Sequence, residues 1–241
     1  MRYGKEFFDR QLRFARVVAA LAAIPLEQAL LDYTNLYVRF GLGRAFDQDH
    51  PTWRRYIQGL SQTTHASDWT YSFYLAHAQA GRETPLVATF GCFSYATPDS
   101  QSIRLHFQNT DTATVSPLSI DRLPMRLSEL RALFDHVRRY EPEAESVLGT
   151  SWLYNLRAYQ RLFPEAYIAS ATVADNRFRN MSLWGQFLDR NGGLKVGFTE
   201  DFLRRLSKTT TVRELASCFP LQALAVSAPI TQFHTFYDSA M

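Results

Sequence analysis

Cysteine is nearly absent: the 241 residues include two, Cys92 and Cys218, and neither belongs to a CxxC or Cys/His spacing. This scarcity excludes the zinc and thiol motifs that cysteine spacing reveals. The first ten residues are charged and aromatic and lack the apolar core of a secretion signal. One disulfide is an alternative, but we expect two reduced, buried thiols and a cytoplasmic location.

Long apolar runs and long runs of one charge are also missing. The most apolar stretch, residues 17–26, is broken by Pro25 and is too short to span a membrane. Arginine alternates with Asp and Glu along the chain, whereas a nucleic-acid interface normally presents one stripe of positive charge. We therefore expect neither a membrane nor a nucleic acid as a partner, and a small-molecule ligand and a homo-oligomer stay open.

The common catalytic and nucleotide-binding motifs do not occur. The sequence has no GxxxxGK[ST], GxGxxG, GxSxG or HExxH pattern and no EF-hand loop. P-loop hydrolysis, common dinucleotide binding, α/β-hydrolase chemistry and the zincins are therefore removed from the leading candidates. None of the six histidines is spaced from another His, Cys or carboxylate as metal ligands are, so no metal site is predicted.

The residues that are present have the composition of a globular protein with a sizeable core. Hydrophobic residues make up 46% and charged residues 20% of the chain, close to ordinary usage. The 18 Phe and 12 Tyr supply core packing first, and a stacking surface only if several rings face one groove. A chain of this length forms one large domain or a domain with a smaller subdomain.

Residues 1–82 predict helices. Apolar residues recur at helical spacing up to Pro25, which disfavours a helical conformation at the preceding residue and suits the first turn of the next helix. A second helix is expected to carry its apolar face over residues 26–40. A third is expected to begin at Pro51.

Residues 83–241 predict a mixed portion. Period-two alternation over 103–107 and an aromatic, β-branched run over 86–95 flank turn residues at 97–100, which predicts an antiparallel hairpin. The other main elements predicted are a helix over 128–140, strands over 146–148, 168–173 and 221–226, and a C-terminal tail.

The predicted fold class is therefore α+β (mixed α/β). An N-terminal helical portion, residues 1–82, is followed by residues 83–241, which hold a sheet with an antiparallel hairpin and flanking helices. We expect the two portions to form one compact unit.

Three residues are candidate catalytic groups. His106 lies on the outer face of the predicted hairpin and Asp111 follows in the loop, where a carboxylate could orient the imidazole as a base. The alternative is a solvated strand face. Tyr154 follows a predicted strand end, where ligands of α/β sheets bind, although it could equally be a packing anchor. His136, between charged helical neighbours, is expected to be solvated.

A candidate anion site precedes the helix predicted to begin at Ser128. A helix N-terminus offers free N–H groups and partial positive charge, and Arg122 and Arg126 could complete a site for phosphate or carboxylate. The alternative is that Arg126 and Arg131 form surface ion pairs with Asp121 and Glu129, which contribute little energy.

The predicted order of elements over residues 85–175 is similar to that of the acyl-CoA N-acyltransferase fold. In that family the pyrophosphate of coenzyme A lies at a helix N-terminus after the central strands, which would correspond to residues 122–128. The glycine-rich loop of the family, Arg/Gln-x-x-Gly-x-Gly/Ala, is missing from this sequence. The similarity is one of element order, and fold alone does not assign a function.

The leading functional prediction is a small-molecule transferase that uses an anionic donor, with coenzyme A or another phosphate-bearing compound as the candidate cofactor. Arg122, Arg126 and Ser128 would bind the donor, and His106, with Asp111 or Tyr154, would act as the base. The alternative is a non-catalytic binding or scaffold protein that acts through protein–protein contacts, as suggested by the aromatic content and the missing catalytic motifs.

Overall fold

The chain forms two compact units. The computed structural model describes residues 3–77, 86–111, 115–174, 178–179, 181–189 and 192–239. The first unit combines Met1–Glu83 with Asp175–Gln222, and the second combines Thr84–Ala174 with Ala223–Met241. The boundary predicted at residues 82–83 lies outside the described residues.

Helices precede a six-stranded sheet, which confirms the predicted α+β class. The helices are α1 (Lys5–Ala22), α2 (Leu26–Tyr33), α3 (Leu36–Arg39), α4 (Pro51–Gln62), α5 (Ala66–His77), α6 (Leu123–Tyr140), α7 (Arg157–Gln160), α8 (Glu165–Ala169), α9 (Met181–Trp184), α10 (Val196–Leu206) and α11 (Ile230–Ser239). The strands are β1 (Ala88–Phe90), β2 (Phe93–Asp99), β3 (Ser102–Phe107), β4 (Ser146–Ser151), β5 (Thr172–Val173) and β6 (Leu224–Pro229). Short 3₁₀ helices cover Ile120–Arg122, Trp152–Asn155, Gly185–Phe187 and Val212–Cys218.

Two prolines mark helix starts in the first unit, as predicted. Pro25 directly precedes α2, after α1 has ended at Ala23 in the left-handed conformation with a φ of 51°. Pro51 is the first residue of α4, where its missing N–H leaves no hydrogen bond unmade. The side chain of His50 caps this helix by accepting a hydrogen bond from the N–H of Thr52.

The helix predicted over residues 26–40 is divided in two, so that prediction is wrong in the middle of the segment. Thr34 is extended, and its hydroxyl donates to the carbonyl of Leu30 at 2.6 Å. The N–H of Asn35 donates to Oε1 of the buried Gln11 in α1 at 2.8 Å. A polar partner from another helix therefore takes the hydrogen bond that would have continued the helix.

Aromatic packing places residues after 175 in the first unit. Phe14 of α1 is fully buried, and its ring centroid lies 5.3–5.9 Å from four other rings. These rings belong to Phe178, Trp184, Phe202 and Phe219. Edge-to-face contacts of this kind add to the energy of apolar burial, so the late segment is held by the first helix of the chain.

None of the helices in the described residues is both long and apolar enough to cross a membrane by itself. Only α1 and α2 taken together reach that length and composition, and the chain bends by 117° between them.

The second unit is built on one sheet with strand order β1-β2-β3-β4-β6-β5. Among its described strands only β3 and β4 are parallel, and every other neighbouring pair is antiparallel. The predicted hairpin is confirmed as β2–β3. The apolar run 86–95 supplies both β1 and the start of β2, because the chain turns at Gly91, whose φ of +57° suits glycine.

The boundaries of two helices in the second unit differ from the prediction. α6 begins at Leu123, with Pro124 in its first turn, so the start predicted at Ser128 is wrong. The C-terminal segment predicted as a tail forms α11, which joins α6 in one hydrophobic core against the sheet. Nε of Arg131 in α6 donates to the carbonyl of Tyr237 at 2.8 Å and so satisfies the end of α11.

The strand predicted over residues 168–173 is also mostly wrong. Pro164, with a φ of −55°, precedes α8, and β5 retains only two residues. Ser170 links α8 to β6, because its hydroxyl donates to the carbonyl of Tyr167 in α8 and accepts the N–H of Ser227 in β6.

A glycine in β4 leaves room for two buried phenols. The hydroxyl oxygens of Tyr154 and Tyr167 are hydrogen-bonded at 2.9 Å, and both side chains are buried. A Cβ atom at Gly149 would overlap both oxygens. β4 can therefore approach this pair only because residue 149 has no side chain.

We expect Gly149→Ala to lower the free energy of unfolding by about 1–3 kcal/mol, because buried rings must shift to admit the methyl group. Thermal and urea unfolding measure this change. Gly197→Ala is the matched control: a Cβ there meets nothing within 4 Å, so alanine should be neutral or stabilise α10 by up to about 1 kcal/mol. Equal stability changes in the two variants would contradict the packing described.

Candidate functional site

The parallel strands β3 and β4 pair only at their beginnings. Three residue pairs join them, from Ser102–Ser146 to Arg104–Leu148. β3 continues beside β2 as far as Phe107, and β4 continues beside β6 as far as Ser151. Residues 105–107 of β3 and 149–151 of β4 therefore do not pair with each other. They lie at the carboxyl ends of the two strands, where α/β sheets bind ligands.

The N-terminus of α6 follows the loop that leaves β3. Arg122 is its N-cap residue, and among the described residues no side chain caps the first turn. Nη1 of Arg122 is 3.9 Å from the sulfur of Met125, a weak contact, and no carboxylate among the described residues pairs with this guanidinium. The approach to the helix is tied to α7, since Nη2 of Arg161 donates to the carbonyl of Leu118 at 2.7 Å. The N–H of Leu123 donates to the carbonyl of Ile120, and Pro124 has no N–H. A cation and the positive end of the helix dipole are therefore close together at this helix end.

Arg126, one turn further along, is fully buried between two carboxylates. Nη2 is 3.1 and 3.0 Å from Oδ1 and Oδ2 of Asp111, and Nη1 is 3.0 Å from Oε2 of Glu129. We call Asp111, Arg126 and Glu129 the ion cluster. Removing a guanidinium from water is costly, and this pairing offsets the cost. The charge of Arg126 is therefore already balanced by the protein itself.

Glu129 also fixes the turn between β1 and β2. Its Oε2 accepts the N–H of Cys92 at 3.1 Å, and its side chain occupies the space that a Cβ at Gly91 would need. Burial raises the pKa of the Glu129 carboxyl, and the charge of Asp111 acts in the same direction, whereas the Cys92 N–H and Arg126 lower it. The ion cluster thus joins α6, the loop after β3 and the β1–β2 turn.

The predicted anion-binding residues take different positions. Arg122 is at the helix end, as an anion site requires, but Arg126 points into the ion cluster. Ser128 is exposed in the second turn of α6 and has no capping role. The ion pair of Arg126 with Glu129, considered as the alternative, does form, but it is not a surface pair, because the Arg126 side chain is only 1% exposed.

The three predicted catalytic residues are not brought together. Ile103 is opposite Val147 in the parallel pair, so Leu105 and Gly149 share their face, which is the core face. Tyr154 contacts the Gly149 position from that face. His106 lies on the opposite face, where Ser94 of β2 is its cross-strand neighbour. Asp111 is held in the ion cluster.

Tyr154 has the environment of a structural phenol. Burial raises its pKa well above the usual value, and the neighbouring Tyr167 adds to the shift. Its hydroxyl is engaged with Tyr167, and its ring packs on Tyr159 and Phe163. A phenol of raised pKa stays neutral and does not act as a base near neutral pH.

A hydrogen-bonded group that the sequence does not reveal lies near the C-terminal end of α6. The hydroxyl of Tyr95 in β2 is 3.1 Å from Nδ1 of His136 and donates to Oε1 of Glu141 at 3.2 Å. His136 is half-buried and contacts the rings of Phe90 and Tyr140, so the solvated position expected for it is wrong. The only signal in the sequence is the five-residue spacing of His136 and Glu141, and the partner comes from a strand 41 residues earlier than His136.

The described residues contain no group of three or more His, Cys, Asp or Glu side chains that could hold a metal ion. Cys92 and Cys218 are both buried and free. The chain matches no protein-family model, no curated protein and no solved structure. Functional inference therefore depends on the geometry of the second unit.

The raised pKa of Glu129 predicts a pH-dependent contribution to stability. Between the usual pKa of about 4.5 and the raised value, the folded state binds more protons at this carboxyl than the unfolded state. The free energy of unfolding should therefore fall as pH rises through that window. Glu129→Gln keeps an oxygen for the Cys92 N–H but cannot ionise, so its stability relative to the parent should increase as pH rises.

Thermal melting of both proteins from about pH 4 to pH 8 measures this difference. Glu143→Gln, at an exposed position just after α6, is the control and should give a pH profile parallel to the parent. A parallel profile for Glu129→Gln as well would contradict the raised pKa.

Proposed function

We propose that the second unit is a small-molecule transferase that binds a phosphate-bearing donor of the acyl-CoA class at the carboxyl ends of β3 and β4. The separation of this parallel pair next to the N-terminus of α6 is the observation that carries the proposal. Crevices of this kind, outside the carboxyl ends of parallel strands, are where α/β sheets bind ligands.

The separated strand edges suit the arm of such a donor. The pantetheine arm of coenzyme A carries two amides and ends in the thiol that bears the acyl group. Backbone groups on the facing edges of residues 105–107 and 149–151 lack ladder partners across the gap. An amide-bearing arm placed between them would complete hydrogen bonds on both edges, as an added strand does.

The N-terminus of α6 suits the diphosphate of the same donor. Its first turn has no side-chain cap among the described residues, and Arg122 stands at the N-cap position. The positive end of the helix dipole and a guanidinium together favour a phosphate oxygen. The ion cluster would hold this helix end and the loop after β3 in place, and Arg126 itself would not contact the donor.

His106 is the base that we assign to the transfer. It lies in the part of β3 that has separated from β4, on the face opposite the core. In acyl transfer the acceptor attacks the thioester carbonyl, the carbon–sulfur bond breaks, and the thiolate leaves. The imidazole would accept the proton that the acceptor loses.

The element order supports the same donor class. The series of β2–β3 hairpin, α6, β4, short helices and further strands is the order that is similar to the acyl-CoA N-acyltransferase fold. Because the glycine-rich loop of that family is absent, phosphate recognition would fall to Arg122 and the positive end of the α6 dipole.

We expect Arg122→Ala to weaken coenzyme A binding by roughly tenfold to a hundredfold, since a charge-assisted hydrogen bond contributes about 1.5–3 kcal/mol. Isothermal titration calorimetry with coenzyme A measures the change in Kd. The melting temperature should stay within about a degree or two, because the side chain makes only the weak contact with Met125.

Arg139→Ala, at the exposed opposite end of α6, is the matched control and should bind coenzyme A as the parent does. Equal losses in the two variants would show general attraction of a polyanion rather than a site at the helix N-terminus. If coenzyme A neither binds the parent nor raises its melting temperature, the donor class is wrong. The non-catalytic binding protein then becomes the better hypothesis, and the oligomeric state is the next measurement.

A further inference from the structure

Tyr95, His136 and Glu141 form a hydrogen-bonded chain that the proposed transfer reaction does not use. Tyr95 is fully buried in β2, whereas His136 and Glu141 lie at the end of α6 with partial exposure. The distances are 3.1 Å from the Tyr95 hydroxyl to Nδ1 of His136 and 3.2 Å to Oε1 of Glu141. The first distance is ordinary for a hydrogen bond between nitrogen and oxygen, and the second is long for one between two oxygens.

The direction of the chain follows from the single proton of the phenol. Burial raises the pKa of Tyr95, and the Glu141 charge adds to the shift, so the phenol keeps its proton. That proton is donated to the carboxylate of Glu141, which as an anion can only accept. The phenol oxygen then serves His136 only as an acceptor, so Nδ1 of His136 must carry a proton.

A proton fixed on Nδ1 leaves the lone pair of the neutral imidazole on Nε2. Free neutral histidine favours the other tautomer, so the chain imposes a form that solvent alone would not select. The described residues offer Nε2 no hydrogen-bond partner.

The surroundings of the imidazole have the character of a small binding position. The ring of Tyr140, which is 59% exposed, lies 4.4 Å from the imidazole centroid, and the ring of Phe90 lies 5.4 Å away on β1. These rings offer apolar contact to a ligand that approaches the imidazole. A contact that only fastened α6 to the sheet would need neither a particular tautomer nor a basic Nε2.

We propose that Tyr95, His136 and Glu141 form a second reactive position, in which Nε2 of His136 accepts a proton from the hydroxyl or thiol of a small ligand. The ligand is left as an anion, the proton resides on Nε2, and Glu141 and Tyr95 balance the new positive charge. This position is independent of the donor site proposed at β3 and β4.

The tautomer of His136 is the first test. Long-range proton–nitrogen NMR spectra of the full chain at about pH 8 report which ring nitrogen is protonated, and loss of one signal set in His136→Gln assigns the residue. We expect Nδ1–H in the parent and Nε2–H in Tyr95→Phe. Tyr140→Phe is the matched control and should keep Nδ1–H, because its hydroxyl is outside the chain. An Nε2–H tautomer in the parent would overturn the proposal.

Reactivity of Nε2 is the second test, with diethyl pyrocarbonate as the probe and mass spectrometry as the readout. We expect His136 to be modified several-fold faster in the parent than in Tyr95→Phe, with exposed His65 reacting equally in both proteins. Equal rates at His136, in variants whose amide spectra show the folded chain, would overturn the proton-accepting role even if the tautomer is as expected.

Discussion

A parallel strand pair cannot be joined by a tight turn, and this requirement organises the second unit. Because β3 and β4 run in the same direction, the chain must cross the sheet between them, and α6 is that crossing. The carboxyl ends of both strands then lie at one edge of the sheet. The same crossing leads the chain from the end of β3 into the N-terminus of α6. The positions of Arg122 and of the loop that carries Asp111 near this edge follow from this single connection.

The ion cluster determines how much freedom this region has. A buried guanidinium with two carboxylates contributes little net stability compared with apolar packing, yet removal of one partner typically costs about 3–5 kcal/mol because an uncompensated charge remains. Arg126 therefore acts as a geometric constraint: it holds Asp111 and Glu129 in one arrangement, and Glu129 holds the Cys92 turn. Its burial also explains why the nearby Arg122, and not Arg126, is available to an external anion.

Local signals in the sequence predicted the elements that local physics controls. The helix starts at Pro25 and Pro51 and the β2–β3 hairpin depend on residues within a few positions of each feature. Distant partners decided the rest. The break between α2 and α3 depends on Gln11, 24 residues away from Asn35, and residues 175–222 belong to the first unit through rings around Phe14. The start of α6 was misplaced because Ser128 resembles a cap, although Pro124 marked the first turn.

Candidate site residues are harder to predict than elements because function depends on which face a side chain takes and what it meets there. His106 and Tyr154 were both plausible near strand ends, but strand alternation puts His106 on the face opposite the core, whereas Tyr154, in the turn after β4, packs against the core face at Gly149. The charged helical neighbours of His136 predict a solvated side chain, yet its Nδ1 is hydrogen-bonded to Tyr95 on β2. A histidine becomes a base through the partner of its other nitrogen. In this chain that partner is Tyr95 on β2, and no local pattern in the sequence of α6 indicates it.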